Sequence, residues 1–419
     1  MLETFRNAWK VEDLRKKIIY TFLMLVVYRL VGVIPAPGVD AVKVLTSQNV
    51  ADLPLLGLVN MMTGNNFSQM TIMAMGITPY INASIIMQLL TIAIPALERM
   101  QRDEEGDGRE KIARITRYVT VGLAAVQAIG LVASLGYIKS GWLNYVLVGV
   151  SMAGGSALAM WIGERITDKG IGNGISLLIF VGIISGFSTA FTNGTTSSWI
   201  SALVIIVLCI VMTIVVTFVD LGERRIPLQI AKQVKGRRVY GGQNTHMTLK
   251  VVSVGVLPLI FAYSFLAFPA TLIQLIGGTS SGAYIWWMTY MNTGSVWYMI
   301  ISALLIIAFT FFYSSISFDP KRQAEQLVMQ GAVIPGTRGK NIQRYLQNTV
   351  NRLNLFAALF LAVLAAVPTL LTSQLQTQVP FTASSILIAV SVALETIRTV
   401  QGEMSIRGID MDMENGGFM

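Results

Sequence analysis

The sequence predicts an all-α, polytopic membrane protein with ten transmembrane helices arranged as two five-helix halves. Three observations carry that prediction. Of the 419 residues, 53% are hydrophobic and 13% are charged, whereas a soluble chain is about a quarter charged because its surface must be wetted. The mean hydropathy is +0.62. The charges are also clustered, and between the clusters lie ten mostly apolar runs, each near the roughly 20 residues a helix needs to cross a bilayer core.

Residues 1–17 hold Arg6, Lys10, Arg15, Lys16 and Lys17 beside Glu3, Glu12 and Asp13, with Phe5 and Trp9 at amphipathic spacing. They are expected to form an amphipathic helix at the cytoplasmic interface. The apolar run that follows starts at Ile18 and continues to about Ile34, past the short core of a cleaved signal peptide, so it reads as a retained span. The runs lie near residues 18–37, 69–94, 118–138, 143–163, 174–192, 199–219, 251–276, 297–318, 353–372 and 381–401. Residues 18–219 thus hold the N-terminal half and the sixth span, and a basic loop, 220–250, follows. Spans seven and eight occupy 251–318, a second basic loop 319–352, spans nine and ten 353–401, and a tail 402–419.

Two local features stand out within this order. The stretch Leu55–Phe67, LLGLVNMMTGNNF, is apolar but too short to span, and Gly64, Asn65 and Asn66 end it. Such a segment must be interfacial, or sheltered by protein or a water-filled cavity. Gly76 and Pro79 predict a local break in the second span, because proline lacks the amide and clashes one turn back.

Lysine and arginine set the orientation. Assigned to alternate loops, nearly all of them fall on one side, from the N-terminal cluster through Arg99, Arg117, Arg165, Arg225, Lys250, Arg322, Arg352 and Arg398, while the other side receives Lys43 and Lys139. Both termini are therefore expected in the cytoplasm. An odd number of spans per half reverses the second half, which permits an inverted repeat with a substrate path at the interface of the halves.

Several chemistries are disfavoured. Cys209 and His246 are each the single residue of their type, which leaves no disulfide, no cysteine cage and no paired-histidine metal site. The GTRGK run lacks the spacing of a phosphate-wrapping loop, GIGNGIS at 170–176 is only superficially glycine-rich, and GIISG at 182–186 is not a nucleophile elbow. No cofactor, metal or enzymatic activity is expected. Arg29, Glu164, Glu395 and Arg398 all lie toward span ends, so a proton relay lacks the central carboxylate it normally keeps. A small-solute transporter would need a compact polar site at the midplane. An intramembrane enzyme would need paired aspartates or a nucleophile and base, and Asp220 stands alone at a span end. Small residues are instead plentiful, with Gly149, Ser151, Gly154, Gly155 and Ser156 in the fourth span and Gly174, Ser176, Gly182, Ser185 and Gly186 in the fifth, which suits close helix packing.

The two long loops are basic. Residues 220–250 set seven Lys or Arg against Asp220 and Glu223, and residues 319–352 set six against Asp319 and Glu325. The positive-inside rule accounts for moderate excesses. It accounts less well for VKGRRVYGGQNTH, where Arg237 and Arg238 sit beside Tyr240 between glycines, or for IPGTRGK at 334–340. Guanidinium groups on loop tips suit phosphate or carboxylate, so RNA or an acidic protein would each qualify as a partner.

Five separated segments then resemble the SecY family, which supplies the central channel subunit of the bacterial protein translocase. They are GITPYINASIIMQLL at 76–90, GIGNGISLLIF at 170–180, AKQVKGRRVYGGQNTHMTLK at 231–250, VLPLIFAYSFLAFPATL at 256–272 and QGAVIPGTRGKNIQRYLQNTVNRL at 330–353. The resemblance covers essentially the whole chain. It implies a protein-conducting channel in the bacterial cytoplasmic membrane, with a central pore between two inverted five-helix halves and a short plug helix on the outer side. The plug would be the Leu55–Phe67 stretch, with Leu55, Leu56, Leu58, Val59, Met61 and Met62. A pore ring would comprise Ile77, Ile81, Ile179, Ile183, Ile260 and Ile388. Within each of the first two pairs the members are four apart and so face one way on a helix. Their stiff χ1 angles suit a constriction that expels water yet parts around an extended chain. From residue type and spacing alone these positions read as packing or lipid contacts.

The same resemblance implies a lateral gate between spans two and three on one side and seven and eight on the other, with Gln88, Thr91, Gln127 and Pro258 as candidates. It implies docking of a ribosome or the SecA motor ATPase through Arg237, Arg238, Arg338 and Lys340, and association with SecE-like and SecG-like small membrane subunits. The substrates would be unfolded polypeptides with signal sequences, whose hydrophobic segments pass into the lipid bilayer. One departure is local: Gly339 and Lys340 follow Arg338, where family members carry Arg-Pro-Gly.

Overall fold

A computed structural model of the chain describes residues 9–40, 60, 63–102, 107–134, 138, 141–194, 199–230, 233–235, 238–240, 244–253, 255, 257–277, 282–291, 295–336, 341–375 and 383–406. The fold is mostly helical. In chain order its helices are α1 (Glu12–Val31), α2 (Thr78–Ala93), α3 (Pro95–Arg102), α4 (Gly108–Ser134), α5 (Trp142–Lys169), α6 (Gly174–Gly194) and α7 (Trp199–Asp220). After a set of strands come α8 (Leu257–Gly277), α9 (Gly282–Tyr290), α10 (Val296–Ser317), α11 (Pro320–Met329), α12 (Asn341–Leu375) and α13 (Ala383–Ile406). Among the described residues, four helical stretches are long and apolar enough to cross a membrane: Trp142–Lys169, Val296–Met329, Asn341–Val367 and Ser385–Met404.

Helix starts differ from the apolar runs where the backbone, not hydropathy, decides. The second run was expected from residue 69, but residues 69–77 form turns and α2 begins at Thr78. Gly76 has φ +50°, a left-handed conformation glycine adopts freely. Pro79 sits in the first turn of α2, where its missing N–H would have had no partner, so it opens the helix instead of kinking it. At the N-terminus α1 starts at Glu12 and runs unbroken past Ile18, so residues 12–17 share one helix with the apolar run. α12 begins at Asn341, well before the predicted 353, because Ile342, Leu346 and Val350 form a buried stripe at helical spacing.

That stripe packs on strands the sequence reading did not foresee. β1 (Glu223–Ile230) pairs antiparallel with β4 (Asn244–Lys250), placing Glu223 opposite Lys250 and Pro227 opposite His246. The short β5 (Ala332–Val333) joins the other edge of β1, Gln229 facing Val333. A separate hairpin pairs β2 (Gln233–Lys235) with β3 (Arg238–Tyr240). The two basic loops therefore share one sheet. Ile226, Leu228 and Leu249 from it meet Ala324, Leu327, Ile342, Leu346 and Val350 in a single apolar cluster. Asp319 caps α11 by accepting from the backbone N–H of Lys321 and Arg322.

In the helical body, α4 packs along α5 and α2, α10 along α12, and α13 along α7 and α6. α8 lies against α2, α4 and α10. Close approach depends on the small residues noted in the sequence: a Cβ on Gly155 of α5 would stand 2.0 Å from the Ile72 carbonyl oxygen, and one on Gly174 of α6 would stand 2.0 Å from the Gly163 carbonyl oxygen. On the other side of the body, residues 35–40 meet 67–75 over α4 and α5, with Pro35 bridging Thr71 and Phe67, Met70 and Met75 buried.

Candidate functional site

The six isoleucines converge. Ile77 precedes α2 as its N-cap residue, and Ile81, one turn on, donates its N–H to the Ile77 carbonyl at 3.1 Å. Ile179 and Ile183 lie on α6, Ile260 on α8 and Ile388 on α13. All are at most 5% exposed and belong to one buried cluster, which also takes in Tyr28, Met73, Ile85, Leu259, Phe261 and Val392. Helices from both ends of the chain thus bring β-branched side chains to one apolar centre. Asn82, one residue beyond Ile81, is also buried.

Of the candidate gate residues, Gln88 and Thr91 lie on α2, Gln127 on α4 and Pro258 on α8, and α8 packs against both α2 and α4. Thr91 is buried and donates its hydroxyl to the Gln88 carbonyl at 2.7 Å, while the Gln88 side-chain oxygen is buried. Gln127 on α4 is half-buried. Pro258 sits in the first turn of α8, and the internal proline of that helix is Pro269. A first-turn proline removes no helical hydrogen bond.

Of the plug candidates, Leu55, Leu56, Leu58, Val59, Met61 and Met62 lie outside the described residues. The end of that stretch is described. Gly64 and Asn65 take φ +69° and +68°, which stops a helix, as the run of glycine and asparagines predicted. Asn60 organises the turn: its carbonyl accepts from the Asn65 N–H at 2.8 Å and its side-chain oxygen accepts from the Ser68 N–H at 2.9 Å. Arg237, Arg338 and Lys340 also lie outside the described residues, and Arg238 is placed by its backbone alone, opening β3 opposite Lys235.

Sequence reasoning noted Arg29 only as a charge in the first run. In the structure its Nη1 donates to the Gly64 carbonyl and its Nη2 to the Val181 carbonyl, each at 3.3 Å. At the opposite end of the helices, Arg117 Nε donates to Glu164 Oε1 at 2.9 Å, and this hydrogen bond holds the Arg117 guanidinium above its usual pKa. Arg398 donates to the Asp220 carbonyl at 3.0 Å, tying α13 to the end of α7.

Residues 71–397 match the family model of SecY. The protein translocase subunit SecY of Streptomyces scabiei is 39% identical over 98% of this chain and 99% of its own length. That of Corynebacterium glutamicum is 38% identical over 95% and 97%. Among solved structures, a protein-conducting channel superposes with a TM-score of 0.70 at 21% identity, covering 95% of both chains. A SecY structure solved in a study of its plug domain and membrane seal gives 0.66 at 20% identity over 95% of both. Sec61 from a canine ribosome–channel complex gives 0.66 at 19% identity, again over 95% of both. With the family model matched over most of its length and relatives this similar from end to end, the chain belongs to the SecY family.

Proposed function

We propose that the chain is a passive, gated polypeptide channel of the bacterial cytoplasmic membrane. One observation carries the reading: Ile77 and Ile81 at α2, Ile179 and Ile183 on α6, Ile260 on α8 and Ile388 on α13 share one buried apolar cluster. Ten spans in two inverted halves would surround that centre, with both termini in the cytoplasm. In this reading the buried isoleucine cluster corresponds to a closed pore. Burying each isoleucine stabilises by about 1.5–3 kcal/mol, so parting the ring requires a partner that binds the open state better than the closed one.

In this mechanism a motor ATPase of the SecA type or a translating ribosome docks on the basic loops and feeds an unfolded chain. The 55–67 stretch moves aside, and the isoleucines part around the extended backbone. An apolar, narrow ring makes no sequence-specific hydrogen bonds, so it seals without selecting cargo. A hydrophobic signal segment leaves sideways where α8 meets α2 and α4, near Gln88, Thr91, Gln127 and Pro258. Small SecE-like and SecG-like subunits complete the assembly, and the chain itself catalyses no covalent reaction. Ribosome docking is favoured by the strongly basic loops and by the ribosome-bound state of the similarly folded canine channel.

The deciding experiment is site-specific crosslinking from position 77 or 179 to a stalled nascent chain. Strong adducts to that chain are expected. Adducts only to lipid or to neighbouring helices would overturn the reading.

A further inference from the structure

We propose that Arg29 is a positioning residue that couples Gly64, in the described end of the 55–67 stretch, to the isoleucine helix α6, so that displacement of one loosens the other. The proposal rests on the channel reading. A guanidinium inside the helical body is costly unless its N–H groups find acceptors. Among the described residues, Arg29 finds two backbone carbonyls from distant parts of the chain. One is Gly64, where the 55–67 stretch ends, and the other is Val181, which lies between Ile179 and Ile183 on α6.

The fit at Gly64 is specific. A Cβ there would stand 2.5 Å from Nη1, 2.7 Å from Nη2 and 2.9 Å from Cζ of Arg29. The guanidinium therefore lies against the bare Cα, and the φ of +69° independently favours glycine. Neighbours on α1 face the same segment. Tyr28 is fully buried within the isoleucine cluster, and a Cβ on Gly32 would stand 2.8 Å from the Asn66 side-chain nitrogen. The end of α1 thus touches both residues 63–76 and α6.

The planar fork of arginine can hold two carbonyls at once, whereas a lysine ammonium is a point charge on a flexible stem. When the segment around Gly64 moves away, Arg29 loses its Gly64 acceptor and the α6 backbone loses a fixed neighbour beside the ring. Coupling between sites is reciprocal, so opening the ring also weakens the hold of Arg29 on Gly64.

The test uses the full chain, reconstituted in liposomes with its small partner subunits and the motor, as wild type, Arg29→Met, Arg29→Lys, Gly64→Ala and the Arg29→Met/Gly64→Ala pair. Resting halide flux, transport of precursors with intact or defective signal sequences, and thermal unfolding are measured together. Losing hydrogen bonds to a charged group should raise resting flux roughly tenfold or more in Arg29→Met and less in Arg29→Lys, with precursor transport retained and signal-sequence dependence relaxed. Gly64→Ala should match Arg29→Met, and the pair should leak no more than either alone. Wild-type flux in Arg29→Met alongside normal transport, or multiplicative effects in the pair, would overturn the coupling and leave the channel reading intact. A wild-type protein that passes no precursor would instead defeat the channel reading itself. If Arg29→Met shows no cooperative unfolding, wild-type flux in both Arg29→Lys and Gly64→Ala overturns the proposal.

Discussion

Lys17 Nζ lies 2.7 Å from one carboxylate oxygen of Glu403 and 2.8 Å from the other, joining the first described span helix to the last. Beneath this ion pair Leu14, Ile171, Val400 and Met404 form a small buried cluster. The side chains are 36% and 25% exposed, so solvent screens the pair and its worth is about 0.5–1 kcal/mol. Lys17→Met should lower stability by that amount, and the charge swap Lys17→Glu with Glu403→Lys should recover most of it. Leu14→Ala, which empties a fully buried site, should cost about 2–5 kcal/mol. Unfolding of the detergent-solubilised protein ranks the three.

Adjacent glycines in α5 should respond in opposite directions. Gly155 sits against the backbone of Ile72, whereas a Cβ on Gly154 meets nothing within 4 Å among the described residues. Gly155→Ala is expected to destabilise by about 1–3 kcal/mol through overpacking against rigid backbone. Gly154→Ala should stabilise by up to about 1 kcal/mol through helix propensity. Equal effects from both, in the same unfolding assay, would mean that α5 does not approach residue 72 as described.

These contrasts mark how far the sequence could be read. Apolar runs overlap the described helices, because burial in lipid or protein needs the same residue types, and the left-handed backbone falls at Gly64 and Asn65 within the run that reads as a helix stop. Hydropathy failed where backbone geometry decides: it extended the second span over residues 69–77, although a left-handed Gly76 and a first-turn Pro79 start α2 at Thr78. The β4–β1–β5 sheet was missed because its inward residues, Ile226, Leu228 and Leu249, are few and separated by proline, polar or basic neighbours inside loops read only for charge. Arg29 was visible as an out-of-place charge, yet its partners are backbone carbonyls, which leave no side-chain signature. The convergence of the isoleucines came from family resemblance, since from spacing alone they look like packing.

Polar substitution within the isoleucine cluster should loosen the closed state. Ile77→Asn or Ile260→Asn places an amide in a centre where the native side chains are 3% and 5% exposed. An unpaired buried amide costs about 1–3 kcal/mol in the closed form and less once the waist is wet, so the resting equilibrium should shift toward open by roughly tenfold or more. The measurement is motor-driven transport of precursors with defective signal sequences, which should rise above wild type. If these variants reject such precursors as the wild type does, the isoleucines are structural packing and not a ring.

Charge removal on the basic loops should weaken partner docking in a salt-dependent way. Arg237→Ala and Arg238→Ala, in the turn-rich segment between Lys235 and Tyr240, each delete a group suited to a phosphate. For a contact to ribosomal RNA, each loss should reduce the magnitude of the slope of log affinity against log salt by about 1, and weaken binding at low salt more than at high salt. Cosedimentation with ribosomes across a salt series reads both quantities. Arg338→Ala and Lys340→Ala extend the series to the second loop, whose β5 shares a sheet with the first. An unchanged slope in all four would place the docking surface elsewhere, since exposed charges that contact phosphate cannot be removed without releasing fewer counterions on binding.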